Sequence, residues 1–309
     1  MATSAMENLA NQYPQAEWTL IGSHVTIHAI KDHPNCRRYF IDETKKKGNR
    51  LLATIGFAKV LGRHDAAISF RKNFFTSLLL YFTQSKIRTG EYSWHSFLVM
   101  NQTVRFTGKR HLVENYNLLI QKLIGEKRQP GKLKLYIPVE KFARKTMGIN
   151  PGATYGSAKR WNPDKFAKAA AAFARDYDIV IFGGEKERDI AAEVEKNLKK
   201  LNVFNYTNLA GKTTVEELCA KIGALSLFIT NDSGPMHVAA AYQIPTVAIF
   251  GPTKYKETSP WENPGAVIVR REDLPCSPCM KHHCPLKHHH CMEWITAEEV
   301  VKQLKNLAG

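Results

Sequence analysis

Long apolar runs are missing from this chain. None of its stretches reaches the ~18 apolar residues that would point to a membrane-spanning helix. The opening from Met1 to Trp18 lacks a basic segment followed by an apolar one, so it does not read as a secretion signal. Cytoplasmic residence is the expectation. Acidic residues are also scarce, with 28 Asp and Glu against 44 Lys and Arg. The shortage is local: residues 1–148 carry 24 basic and 10 acidic side chains, a net +14, whereas residues 149–309 carry 20 and 18. The first half is therefore expected to meet something anionic, whether nucleic acid, a phosphorylated substrate or an acidic membrane surface. Cysteine is sparse outside one place. Cys36 and Cys219 stand alone and read as plain thiols. Cys276, Cys279, Cys284 and Cys291 crowd into sixteen residues.

Strand and helix patterns alternate along most of the chain. Short apolar runs at 18–22, 38–42, 66–70 and 134–138 predict strands in the first half, with helices at 49–61, 74–83 and 111–124. The alternation is cleaner later. "MGINPG" (147–152) reads as a strand and turn, and "DIVIFGG" (178–184) as a strand buried on both faces. A helix over 162–177 is predicted to take Asn162 as its cap and Pro163 at its first position. A capping box at Thr214 opens another. Such repetition implies α/β architecture with parallel sheets. "EKFARKTMG" (140–148) reads as a linker, giving domains 1–145 and 146–309 that face each other across a cleft. The C-terminal helix at 296–307 is expected to pack back on the first domain. One element is missing from the pattern. A doubly wound half usually begins with a strand that ends up central in its sheet. Here the chain opens on a helix-like segment leading into "WTLIG".

Ligands of open α/β sheets bind beyond the carboxyl ends of strands, and three such ends carry polar, glycine-containing turns. In "NPGATYGSAKRW" (150–161), Gly152 and Gly156 permit close backbone approach. Thr154, Ser157, Lys159 and Arg160 supply hydroxyls and charge suited to a diphosphate. In "GGEKE" (183–187) a carboxylate just past a strand can accept the two hydroxyls of a ribose. Glu185 is preferred over Glu187 for this role. In "NDSGPMH" (231–237), Gly234 opens a helix whose free N–H groups attract phosphate. Ser233 and His237 add donors, and Asp232 is expected to orient neighbours or a sugar hydroxyl.

"NDSGPMHVAAAYQIPTVAIFGPT" also resembles the signature of glycosyltransferase family nine, the ADP-heptose:lipopolysaccharide heptosyltransferases. "NPGATYGSAKRWNPDKFA" and "CSPCMKHHCPLKHHHCM" resemble that family too, its heptosyltransferase II branch in particular. The likeness spans essentially the whole chain and is strongest after residue 145. It implies a GT-B fold of two Rossmann-like domains. It implies ADP-heptose as donor, bound by Thr154, Ser157, Lys159, Glu185, Asp232, Ser233, Gly234 and His237, with Gly251 and Thr253 close by. The implied acceptor is Kdo-lipid A or its heptosylated form. The first domain would meet it, with peripheral contact at the cytoplasmic face of the inner membrane and no nucleic acid. The implied chemistry is inverting and needs no metal cofactor.

This sequence departs from the family at one point. Members open with a strand ending in an Asp that is the expected catalytic base, and Met1 aligns just after it. The strand and the base are expected upstream, and no residue of this chain obviously replaces the base. The cysteine segment leaves two readings open: a structural zinc held by Cys276, Cys279, Cys284 and Cys291, or a reduced loop without metal. Two other classes of function stay in view. One is a sugar-nucleotide binder without activity. The other, less favoured, is a nucleic-acid-binding protein, for which no recognised motif is present.

Overall fold

The computed structural model describes all residues, Met1–Gly309, as two compact units, Met1–Tyr136 and Ile137–Gly309. The first unit contains α1 (Thr3–Gln12), β1 (Trp18–Gly22), α2 (His24–Ile30), β2 (Cys36–Ile41), α3 (Arg50–Leu61), β3 (Ala66–Ser69), α4 (Phe74–Phe82), β4 (Ile87–Glu91), α5 (Trp94–Val99), β5 (Gln102–Val104) and α6 (Leu112–Ile124). Its strands form two separate parallel sheets, β1-β2 and β3-β4-β5. β1 and β3 each stand at an edge and do not pair with each other. Helices α1 and α6 pack together through Ala5, Leu9, Ile120 and Ile124, and Trp18 and Ile68 lean on that cluster.

The run at 134–138, predicted as a strand, is not one. It crosses α1 instead. Lys134 N–H donates to Thr3 Oγ1 at 3.3 Å, and the Tyr136 hydroxyl donates to the Glu7 carboxylate at 3.1 Å. Pro138 ends the run without an N–H for a ladder. β4 and β5 went unpredicted because their polar "IRTGE" and "QTV" carry little apolar signal.

The second unit contains β6 (Thr146–Asn150), α7 (Pro163–Ala171), β7 (Asp178–Ile181), α8 (Arg188–Lys200), β8 (Tyr206–Asn208), α9 (Val215–Gly223), β9 (Leu227–Asn231), α10 (Gly234–Ala241), β10 (Thr246–Ile249), α11 (Tyr255–Thr258), β11 (Ala266–Val269), α12 (His290–Glu293) and α13 (Ala297–Ala308). All six strands are parallel, in the order β11-β10-β9-β6-β7-β8. This is the doubly wound order, and it reverses between β6 and β9. Alternate residues of each strand feed different layers. Ile179 and Ile181 join Met147, Ile149, Leu227 and Phe166 on one face. Val180, Phe182, Phe228 and Ile222 fill the other. Gly148 lies on that second face, where a β-carbon would overlap Leu225 and Phe228.

Two boundaries differ from expectation. The stretch 137–145 belongs with the second unit rather than forming a linker. The Tyr242 hydroxyl donates to the Ile137 carbonyl at 2.9 Å, and Lys221 pairs with Glu140 at 2.6 Å. Helix α13 packs on α7, β9 and β10, all in the second unit. Its Val300 and Leu304 are buried in the same layer as Ile229 and Ile249. Asn162 does occupy the cap position of α7, but its side chain donates to Glu293 rather than closing the helix. Two expected features hold: Thr214 and Glu217 close a capping box by reciprocal bonds, and Pro163 sits in the first turn of α7; Thr296 and Glu299 form a second capping box, and Pro235 sits in the first turn of α10.

Candidate nucleotide-sugar site

The order reversal between β6 and β9 places two polar turns side by side: 150–161 after β6, and 231–234 after β9. Both strands are buried along their whole length, so the polar residues at their ends need partners. They find them in each other. Asn150 Nδ2 donates to Ser233 Oγ at 3.1 Å. Asn231 Nδ2 donates to the Pro151 carbonyl at 2.8 Å, and its Oδ1 accepts the Trp161 N–H at 3.1 Å. Trp161 is itself fully buried, which anchors the far end of the turn. Two asparagines, neither chosen from the sequence, thus tie the two turns together. Their signal was available: each is a lone amide ending an otherwise apolar strand.

Lys159 and Asp232 meet at the centre. Lys159 Nζ lies 2.6 Å from Asp232 Oδ2, with side chains only 13% and 5% exposed. The Thr253 hydroxyl donates to the same carboxylate oxygen at 2.7 Å. The ammonium also sits 4.6 Å above the Tyr155 ring. Asp232 therefore orients Lys159 and fixes the β10 turn. A lysine ammonium has three N–H donors, so the pairing does not exhaust its capacity for an anionic ligand. Ser233 is the cap residue of α10, and Gly234 is exposed at its first turn. A β-carbon on Gly234 would meet nothing within 4 Å, so the helix N-terminus opens onto free space. His237 lies three residues on, on the same face of α10, and is half-buried.

The remaining predicted residues sort differently. Thr154 is exposed on the 150–161 turn. Ser157 hydrogen-bonds His283 Nδ1 at 2.8 Å. Glu185 is exposed and pairs with Arg188 at 2.8 Å, beside Gly211 and away from the β6 turn. Glu187, at the end of the short 3-10 turn Glu185–Glu187, has its carboxylate against Gly152, where a β-carbon would overlap it, and its Oε2 accepts the Gly184 N–H at 2.8 Å. Gly251 is explained by packing, since a β-carbon there would strike Met292 and Cys291.

The cysteine segment braces the 150–161 turn and the turn after β10. The Tyr155 hydroxyl donates to the Met280 carbonyl at 2.8 Å. Ala158 N–H donates to the His282 carbonyl at 3.1 Å, and Met280 N–H to the Pro252 carbonyl at 2.8 Å. All four thiols are free and line one cavity of about 30 Å³ with His288 and His289. No three His, Cys, Asp or Glu side chains of the chain converge as a metal-holding group. Burial, with the neighbouring Cys279, Cys284 and Cys276, pushes the Cys291 thiol up to about 11.

The parallel α/β architecture, with polar turns and a helix N-terminus at the switch point of the second unit's sheet, is that of the GT-B class. The family described as Glycosyltransferase family 9 (heptosyltransferase) matches residues 55–290. The chain belongs to that family. It is 39% identical over 309 aligned residues to the lipooligosaccharide heptosyltransferase 2 of Campylobacter jejuni serotype O:2, covering 99% of this chain and 93% of that protein. The homologue of the same name from Haemophilus ducreyi is 25% identical, over 99% of this chain and 95% of its own length. The solved Escherichia coli ADP-heptose LPS heptosyltransferase II is alike in fold, with a TM-score of 0.80 at 23% identity, covering 99% of this chain and 94% of that one.

Proposed function

We propose that this chain transfers heptose from ADP-heptose to the inner core of lipopolysaccharide, with inversion at the anomeric carbon. The observation that carries the reading is the buried Lys159–Asp232–Thr253 cluster beside the open N-terminus of α10. On this reading the diphosphate lies over the Ser233 and Gly234 amides, with Lys159, Thr154, Ser157 and His237 as further donors. The ribose hydroxyls go to Glu187. As the bond to the sugar breaks, negative charge grows on the leaving ADP. The lysine and the helix N-terminus stabilise that charge in place, before the reaction begins.

The acceptor hydroxyl must lose a proton to a base. The acceptor is the anionic Kdo-bearing lipid, met by the basic first unit. The test is a transfer assay with ADP-heptose and inner-core acceptor. The chain should transfer heptose with release of ADP, and Lys159→Met should slow transfer by about a hundredfold. Absence of transfer by the wild-type chain would refute the assignment.

A further inference from the structure

Strands β3, β4 and β5 run parallel, so their carboxyl ends share one rim of the sheet. That rim is unusual in what it exposes. Just past β4, Trp94, Phe97 and Leu98 on α5 are 72%, 64% and 71% exposed. Phe74, just past β3, is exposed too. These are not scattered. The Phe74 ring stands 5.6 Å from His95, which stands 5.5 Å from Trp94. Phe97 reaches Tyr92 at 6.2 Å, and Arg105 past β5 covers the Tyr92 ring at 4.1 Å. One aromatic surface therefore runs across the ends of all three strands. Large exposed apolar patches on a soluble unit mark interaction sites.

The charge around the patch says which kind. Arg71, past β3, and Lys109 and Arg110, past β5, are exposed on two of these turns. Residues 43–110 carry 13 Lys and Arg against three Asp and Glu, namely Glu43, Asp65 and Glu91. Glu91 is already paired to Lys72 at 2.9 Å. Indole and phenyl rings beside unpaired cations match the boundary between lipid headgroups and acyl chains. We propose that this rim docks the first unit on an anionic bilayer surface, with Trp94, Phe97 and Leu98 entering the interface. The inference rests on the reading of the acceptor as a membrane lipid and adds the surface that meets the membrane.

The experiment is vesicle co-sedimentation of the full chain. It should bind vesicles containing phosphatidylglycerol, release at high salt, and ignore pure phosphatidylcholine. The Trp94→Asp/Leu98→Asp variant should lose at least tenfold in vesicle binding, with thermal unfolding and ADP-heptose binding unchanged. It should slow transfer to vesicle-embedded acceptor but not to detergent-dispersed acceptor. Equal vesicle binding by the variant would overturn the proposal. So would equal loss on both acceptors, which would place these side chains in the acceptor pocket. Sedimentation needs no turnover, so failure of the transferase reading would show separately, as absent transfer by a chain that still binds vesicles.

Discussion

A buried lysine–carboxylate pair decides most of the site's behaviour. Removing one partner strands the other charge in a place that water barely reaches, at a cost of about 3–5 kcal/mol. Asp232→Ala should therefore destabilise the second unit by roughly 3 kcal/mol in denaturant titrations. The double variant Lys159→Met/Asp232→Ala should recover most of that stability without recovering affinity for ADP. A merely structural pair would leave affinity intact in the double variant. Glu187 and Glu185 make a second contrast. Glu187→Gln should weaken ADP-heptose binding about tenfold, roughly one hydrogen bond to a charged group, and Glu185→Gln should leave it unchanged by competition calorimetry. Lys159, Asp232, Ser233 and Gly234 were legible in the sequence as turn residues just beyond apolar strands, and Thr253 through the family resemblance. Which of Glu185 and Glu187 lies against Gly152 was not, because a single 3-10 turn decides it. Nor did it show that Asn150 and Asn231 would bridge the two turns, since each bond joins residues some 70–80 positions apart.

Among elements, α1 shows how a short helix is held by side chains far along the chain. Glu7 accepts hydrogen bonds from Tyr136 and faces His33 at 3.2 Å and Lys134 at 3.4 Å. Partial burial alone would raise its pKa; the bonds from His33 and Tyr136 and the charge of Lys134 outweigh it and hold the carboxyl below its ordinary 4.5. A depressed folded-state pKa means stability present above the unfolded value and lost as pH falls through the folded one. Glu7→Gln should lower stability by about 1–2 kcal/mol at pH 7. The gap between variant and wild type should close as pH falls well below 4.5, measured by urea titration across that window. A gap that persists in acid would mean that Glu7 acts through packing rather than charge. Helices and buried strands of the second unit were legible because caps, prolines and continuous apolar runs agree with one another. β4, β5 and β8 were not, since three to five half-buried polar residues leave no periodicity to read.

In the molecule as a whole, charge and chemistry divide between the units. The basic excess lies in the first unit, with its split sheet and aromatic rim. The second unit is nearly neutral and carries the switch point with every donor-binding candidate. Composition alone exposed that division. The domain boundary was displaced because residues 137–145 are tied down by Tyr242 and Lys221, far along the chain. The central claim is that the donor diphosphate sits on the N-terminus of α10. Gly234 tests it most directly, because a methyl group there enters open space rather than the core. Calorimetric titration with ADP-heptose should give saturable one-to-one binding to the wild-type chain. Gly234→Ala should bind at least tenfold more weakly with an unchanged unfolding temperature. Wild-type affinity in a well-folded Gly234→Ala chain, or no binding by the wild type, would contradict the account.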